Sequence, residues 1–384
     1  MDRKETGTPT RIIVQKYGGS SLADLDSIRR VAARVVSSAR EGVQIVVVVS
    51  AMGNTTNELL KLAQEVSENP GRRELDLLIS VGERVSMTLL AIAIEELGIP
   101  AASFTGSQAG IMTDDEHVNA QVIEVRAHRV RAALDAGKVA IVAGFQGCSL
   151  SGEVTTLGRG GSDTTAVVLA AALQAEHCEI CSDVDGVYSA DPRVVPSATQ
   201  VPELPLDGAL ALAESGAKVL LADALKHARS LGVTLRAAST SKPSGTGTRL
   251  PPGPTPDAVV GIAGDPQLRA LLQAPDGGMP PWQGVVRAWI PVPEGMRVLV
   301  DLRNLPDPST WTLPAGLTDA GNAATVSAVG LQVVRDPALI HAALKALKNH
   351  GLISWWAAGD RFTAEVEPER INVAQDALHR ALIG

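Results

Sequence analysis

The residues best suited to chemistry lie in one run, Val154 to Thr165, which reads Val-Thr-Thr-Leu-Gly-Arg-Gly-Gly-Ser-Asp-Thr-Thr and leads straight into the apolar segment Ala166 to Leu173. Arg159 offers a planar fork of donors that matches a carboxylate or a phosphate bidentately. Gly160 and Gly161 let backbone approach a ligand closely, and Ser162 or Asp163 can cap the amides that open the helix expected next. The run therefore reads as an anion-facing helix start. The same residues also make a capped glycine turn with a solvated arginine, and other stretches have to decide between the two.

Three further places carry usable groups. Lys16 precedes Gly18, Gly19 and Ser20, so an ammonium and backbone amides can converge on phosphate oxygens. It is not a Walker loop, because the lysine comes before the glycines, and no GxGxxG occurs either. Read alone, Lys16 is equally a solvated strand end, and Lys218, within Gly216-Ala217-Lys218-Val219-Leu220, is equally a surface lysine with a buried stem. Ser182, Asp183, Asp185 and Asp191 crowd the stretch that ends at Arg193. Such text usually makes turns and lacks Ca²⁺-loop spacing; it also suits a nucleotide pocket with Tyr188 over the base and Arg193 on phosphate.

These groups fall at the ends of segments that must be strands or at the starts of segments that must be helices. Ile12–Lys16, Gln44–Val49, Ala101–Phe104, Val139–Val142, Cys178–Ser182 and Val233–Arg236 are short apolar runs, the second being Ile/Val almost throughout, as for a parallel strand buried on both faces. Helical spacing is expected over Asp24–Ala39, from Thr56, over Glu74–Leu97, Val122–Ala136, Thr164–Ala175, Leu206–Ser215 and Ala222–Ser230. The alternation predicts an open α/β/α sandwich with a mainly parallel central sheet, whose ligands gather at the carboxyl ends of its strands.

Composition changes at Ser241 to Pro256, where prolines and glycines leave few donors and no periodicity, as in a linker. The five tryptophans, Trp282, Trp289, Trp311, Trp355 and Trp356, all follow it. The expected organisation is a polar leader over 1–10, a catalytic domain over 11–245, a linker over 246–257 and a smaller α+β domain over 258–384. Within the last, Ala323–Val333, Pro337–His350, Leu352–Ala357, Phe362–Val366 and Arg370–Leu382 read as β-α-β-β-α, preceded by a short helical piece near Pro266–Leu272.

With 34 Lys+Arg against 42 Asp+Glu the formal charge is −8, so nothing basic points to nucleic acid or an anionic membrane. Three cysteines, Cys148, Cys178 and Cys181, make no disulfide framework, and the CxxC pair stands in a strand-like run without a second ligand pair, as buried thiols do. The start of the chain has no apolar run resembling a signal peptide. A cytoplasmic location is the expectation.

Taken in order, Lys16-Tyr17-Gly18-Gly19-Ser20-Ser21, Ser50-Ala51-Met52-Gly53, Gly82-Glu83-Arg84, Gly144-Phe145-Gln146-Gly147, Thr155–Thr165, Ser182–Arg193 and Gly216–Leu220 closely resemble the aspartate kinases of the amino-acid kinase family, over about residues 11 to 250. The resemblance implies transfer of the γ-phosphoryl group of ATP, with Mg²⁺, to the β-carboxylate of L-aspartate. It places Lys16 and Lys218 on the phosphates, Gly18, Gly19 and Ser20 as donors there, and Ser182, Asp183, Tyr188 and Arg193 around the nucleotide. Arg159 would hold the substrate α-carboxylate and Glu83 its ammonium, with Ser50, Thr56, Phe145 and Ser162 lining the amino-acid side. Asp163 would order Lys16 or the metal. Alternatives are a kinase of the same fold acting on acetylglutamate, glutamate, carbamate or UMP, and an inactive amino-acid sensor.

The family ends in two small ACT domains that bind amino acids, and only the last β-α-β-β-α unit here is similar to one. The region of the first shows Gly284 to Val300, with Pro291, Pro293 and Gly295, where the family has a helix whose start holds an effector. Trp355 and Trp356 stand where the family has small polar residues. The expectations are insensitivity to lysine and threonine, and a homo-oligomer, a dimer through the C-terminal region, in which that aromatic packing serves.

Overall fold

A computed structural model describes residues 11–274, 285–303, 312–313 and 315–384. The predicted leader, Trp282, Trp311 and Gly284 lie outside these described residues. The chain forms two compact units. The first takes the described chain up to Val187 with Pro202–Leu206 and Val219–Gly253; the second takes Tyr188–Val201, Asp207–Lys218 and Pro254–Gly384. This division differs from a single cut after residue 245, because two internal segments, Tyr188–Val201 and Asp207–Lys218, belong to the second unit.

In the first unit, in chain order, come β1 (Ile12–Tyr17), α1 (Leu25–Arg40), β2 (Gln44–Val49), α2 (Thr55–Val66), α3 (Arg72–Ile79), α4 (Val81–Glu96), β3 (Ala101–Phe104), α5 (Gly106–Ala109), β4 (Ile111–Thr113), β5 (Val122–Val125) and α6 (His128–Asp135). Then follow β6 (Val139–Ala143), β7 (Gln146–Ser149), β8 (Val154–Thr156), α7 (Gly161–Leu173), β9 (His177–Ser182), α8 (Leu206–Glu214, all but its first residue in the second unit), α9 (Ala222–Leu231), β10 (Leu235–Ser239) and β11 (Thr248–Leu250). Seven strands pair in the order β11-β10-β9-β1-β2-β6-β3, parallel except for β11. Val46 to Val49 have no solvent exposure, as a central strand covered on both faces requires. The Asp24 side chain accepts from Ser27 N at 2.7 Å to start α1, whose Ile28, Val31, Val35 and Val36 pack with Leu90 and Ile94 of α4. The predicted parallel α/β sheet is observed.

Three expectations change. The helix over Val122–Ala136 is a strand, Val122–Val125, followed by a helix from His128; the strand joins the separate four-stranded sheet β5-β4-β7-β8. The helix over Glu74–Leu97 breaks into two at Ser80. The supposed linker contains β11, which closes one edge of the main sheet by pairing Thr248–Leu250 with Ala237–Leu235. The stretch Arg72–Glu96 is apolar and long enough to cross a membrane by length and composition, and half of its apolar window is buried in the protein.

The second unit adds β12 (Gly261–Gln273), β13 (Val285–Val292), β14 (Gly295–Asp301), β15 (Leu317–Val329), α10 (Gln332–Arg335), α11 (Pro337–Leu347), β16 (Leu352–Ala358), β17 (Arg361–Val366) and α12 (Ile371–Leu382). Their order is β13-β14-β12-β15-β17-β16, antiparallel throughout. The helical piece expected near Pro266–Leu272 is instead part of β12. The register shift between Asp265 and Leu268 absorbs Pro266 as a bulge, and partners on both sides override the local helical pattern. Ala324, Val326, Ala328, Phe362 and Ala364 pack under α11 and α12.

The opposite face of that sheet is polar inside. Glu365, fully buried, takes Arg297 at 2.7 and 2.9 Å and Ser354 at 3.0 Å, beside a Ser327–Thr363 hydroxyl pair at 2.9 Å. Arg297 stands on β14 and Glu365 on β17, with two strands between, about 14 Å across a flat sheet, so the sheet curls until β14 faces β17. Trp356 turns into the cluster of Leu268, Ala288 and Leu299, while Trp355 stacks on Phe362 at 5.8 Å. Trp356 thus packs within its own chain, and Trp355 is 45% exposed.

Candidate active site

The loops after β1, β2, β6 and β8 meet the start of α7 around one cavity of about 400 Å³ in the first unit. Nine of the sixteen predicted residues line it: Lys16, Gly19, Ser50, Thr56, Glu83, Phe145, Arg159, Ser162 and Asp163. The close approach of two loops builds its floor. A side chain at Gly19 would stand 2.9 Å from Ala51 O and 3.0 Å from Gly53 O, so only glycine lets the turn after β1 lie on the turn after β2.

Lys16 Nζ lies 2.6 Å from Asp163 Oδ1, both side chains largely buried. Asp163 Oδ1 has no directed hydrogen bond. The contact is a charge pairing, so the oxygen can still orient toward another cation. The expected capping role of Ser162 or Asp163 is not observed: α7 starts at Gly161 behind a left-handed Gly160, with no side-chain cap. Asp163 is turned to the lysine instead, and the loop itself takes the first amides of the helix, Gly161 N donating to Gly158 O at 3.1 Å and Asp163 N to Gly160 O at 2.9 Å.

Glu83, on the first turn of α4, accepts from Ala51 N at 3.0 Å through Oε1, while Oε2 is buried with no partner. Burial pushes its carboxyl up to about 7, against the opposing pull of backbone donors. A buried acceptor of this kind is completed by a cation. Arg159 is exposed at the cavity and has no carboxylate partner among the described residues. The cavity thus offers one cation and one acidic acceptor without protein counterparts, together with an ordered lysine.

The other predicted residues lie elsewhere. Gly18 neighbours Lys16, a side chain there standing 3.6 Å from Nζ. Ser20, Ser182 and Asp183 line a separate cavity of about 720 Å³ beside α1, with Arg30, Arg34 and Lys242. Tyr188, Arg193 and Lys218 belong to the second unit. There Arg193 grips Asp191 at 2.7 and 3.0 Å and holds its carboxyl below the usual range, helped by the charge of Lys218. Asn57 and Leu221 also line the smaller cavity and carry no signal in the sequence that separates them from other helix-start residues.

The chain belongs to the amino acid kinase family, whose model matches residues 11–238. Over 230 residues it is 55% identical to the aspartokinase of Corynebacterium glutamicum, a match spanning 60% of this chain and 55% of that one; the chain therefore aligns with only about half the length of that relative. Its structure is similar to an aspartate kinase from Synechocystis, 32% identical, with a TM-score of 0.58 over 97% of this chain and 69% of the other. Escherichia coli aspartokinase III in complex with aspartate and ADP superimposes with a TM-score of 0.82 over 97% of this chain and all of that one; at 23% identity this likeness concerns the fold.

Proposed function

We propose that the protein is an aspartate kinase, transferring the γ-phosphoryl group of ATP to the β-carboxylate of L-aspartate in amino-acid biosynthesis. The observation that carries the reading is the pair of unsatisfied groups on one cavity, the Arg159 guanidinium and the buried Glu83 oxygen. A free α-amino acid presents the matching carboxylate and ammonium. An N-acetylated amino acid or a nucleotide lacks the ammonium that Glu83 requires, which disfavours acetylglutamate and UMP.

A side-chain carboxylate is already an ionised nucleophile near neutral pH, so no general base is needed. Catalysis is then positioning and neutralisation of charge on the transferring group. Arg159 and Glu83 hold the backbone end of aspartate, Ser50, Thr56, Phe145 and Ser162 line its side-chain end, and Lys16 meets the phosphoryl oxygens. By the family resemblance Gly18 and Ser20 act beside Lys16, Lys218 is the second phosphate lysine, and Ser182, Asp183, Tyr188 and Arg193 hold the nucleotide. Mg²⁺ keeps waters and phosphate oxygens and takes few carboxylates, and the buried Asp163 Oδ1 without a directed hydrogen bond is a donor of the kind it takes. Asp163 is the residue that would hold it; the ion supplies further neutralisation of phosphate charge. The cytoplasm and a homo-oligomer remain our readings of location and assembly.

A coupled assay of ADP formation tests the proposal, with L-aspartate, L-glutamate, N-acetylglutamate and UMP as acceptors. Aspartate-dependent turnover is expected; turnover with another acceptor alone, or with none, overturns it.

A further inference from the structure

Val118 is β-branched yet sits at φ 73°, where its Cβ crowds its own backbone. Asp76, a carboxylate of α3 with no solvent exposure, surrounds this turn. It accepts from Val118 N at 3.1 and 3.2 Å, pairs with His117 Nδ1 at 2.6 Å, and takes the Thr156 hydroxyl at 2.5 Å. Thr156 ends β8, and Leu157, Gly158 and Arg159 come next. The same turn touches that segment twice more. Ala120 N donates to Thr156 O at 2.9 Å, and a side chain at Gly158 would meet Asn119 Oδ1 at 2.6 Å and Val118 O at 3.3 Å. The strained turn is thus pressed against the backbone one residue before Arg159.

We propose that Asp76 is a positioning residue for Arg159: by clamping the 117–120 turn and β8 to one carboxylate it fixes the Gly158–Gly160 loop and aims the guanidinium into the cavity. The proposal rests on the reading of Arg159 as the clamp for the substrate α-carboxylate. An ionised carboxylate is the one side chain of this size that accepts from all these donors at once; an amide of the same shape presents hydrogens where Thr156 or His117 needs an acceptor. Without the clamp, Val118 relaxes out of the left-handed region and the support under Gly158 goes with it. Misplacing a binding group by an ångström is enough to weaken capture of the substrate strongly.

The full chain is assayed first unmodified and then as Asp76→Asn, with thermal unfolding measured on each. The expected result is a rise in the aspartate KM of about 10- to 100-fold with the ATP KM changed less than about 3-fold. In the double variant Asp76→Asn with Val118→Gly, glycine takes the left-handed turn without strain, and most of the loss in aspartate KM is recovered. A role confined to stability would move both substrates' parameters together with the amount of folded protein and would show no such rescue. An unshifted aspartate KM in folded Asp76→Asn, an equal rise for ATP, or no rescue overturns the positioning role. If Asp76→Asn does not fold, Thr156→Val removes one donor at constant shape; an aspartate KM raised about 3- to 10-fold supports the role and an unchanged one overturns it. Absence of aspartate-dependent turnover in the unmodified protein overturns the kinase reading and the positioning role with it.

Discussion

The cavity of the parallel-sheet unit and the antiparallel sheet treat charge differently. Inside the parallel sheet Glu179 is fully buried and matched by Arg34 at 3.3 Å, but at the cavity groups are left incomplete: Glu83 Oε2 is buried without a partner and Arg159 faces the cavity alone. In the curled antiparallel sheet the buried charges are matched. Glu365 has Arg297, Asp265 has Arg303 at 2.6 Å, and Asp301 has both Arg287 and Arg303 at 2.8 and 2.7 Å. The arginines hold Asp301 well below the carboxylate range in spite of its burial. Incomplete charges cost stability and are kept where a ligand completes them, whereas complete ones serve shape. On the proposed function the cavity of the first unit is the place of chemistry, and the second sheet would be scaffold.

If that contrast holds, substitutions in the two sheets fail by different measures. Glu365→Gln keeps the shape of the side chain but leaves the Arg297 cation half-buried and without a counter-ion, a loss of about 3–5 kcal/mol read as a lower denaturation midpoint. Its kinetic constants, measured below that midpoint, should stay near those of the parent; an altered aspartate KM would mean the second sheet also shapes the site. Lys16→Ala should show in turnover, with kcat down about 10²- to 10³-fold and aspartate KM little changed; because it also strands the buried Asp163 carboxylate it lowers the denaturation midpoint, so the rates are compared on folded protein. Near-normal turnover would return Lys16 to a solvated strand end. Arg159→Ala should lower kcat/KM for aspartate by about 2–3 kcal/mol while equilibrium binding of ATP is retained. Equal loss of ATP affinity would place Arg159 on the phosphate side.

How far the sequence reached follows the same line. The parallel sheet was legible because its strands are short, mostly apolar runs, Gln44–Val49 almost wholly Ile/Val, alternating with helical spacing, and several motif residues at strand ends converge by the geometry of such sheets. Asp76 was not legible: in Leu75-Asp76-Leu77 it looks like one polar residue on a helix, and its partners His117, Val118 and Thr156 are at least 41 residues away. The cap assigned to Ser162 or Asp163 failed for a related reason, since propensity sees the helix start but not the lysine of β1 that claims the carboxylate. The antiparallel sheet was least legible. Pro266 followed by helix-forming residues reads locally as a helix start, and only pairing with β14 and β15 makes it a bulged strand.

A pH profile probes the incomplete charge directly. Glu83 is held at about 7 by burial, so in the free protein it is largely neutral below that pH and ionised above it. An ammonium binds the ionised form. Aspartate KM should therefore fall roughly tenfold between about pH 6 and 8 and then level off, and Glu83→Gln should abolish the slope as well as weaken binding. For stability the sign is opposite: the folded state holds this proton more tightly than the unfolded one, so the contribution of Glu83 declines as pH rises from 4.5, its ordinary value, to about 7. A flat KM profile over this range would mean that Glu83 does not meet the substrate cation.

The smallest expected effect is none at all, and it concerns regulation. An amino-acid effector needs a site for its carboxylate, which in the resembled family is a helix start in the first ACT domain. In the corresponding stretch the described residues give β13 and β14, joined through Pro293 and Glu294 as a hairpin, with no helix between them. Asp301, Arg287 and Arg303, the charges that could greet an amino acid there, already pair with one another, although Arg287 Nε is left without a partner among the described residues. At β16 the alternation of the strand sends Trp355, 45% exposed, to stack on Phe362 and Trp356 into the opposite cluster. A ligand shifts an equilibrium only by the difference in its affinity for the two states, and a site that is absent supplies no difference. Initial rates at subsaturating aspartate should be unchanged by lysine, by threonine and by both together. Inhibition at low-millimolar effector would show that the second sheet binds amino acids after all, and would end its description as scaffold.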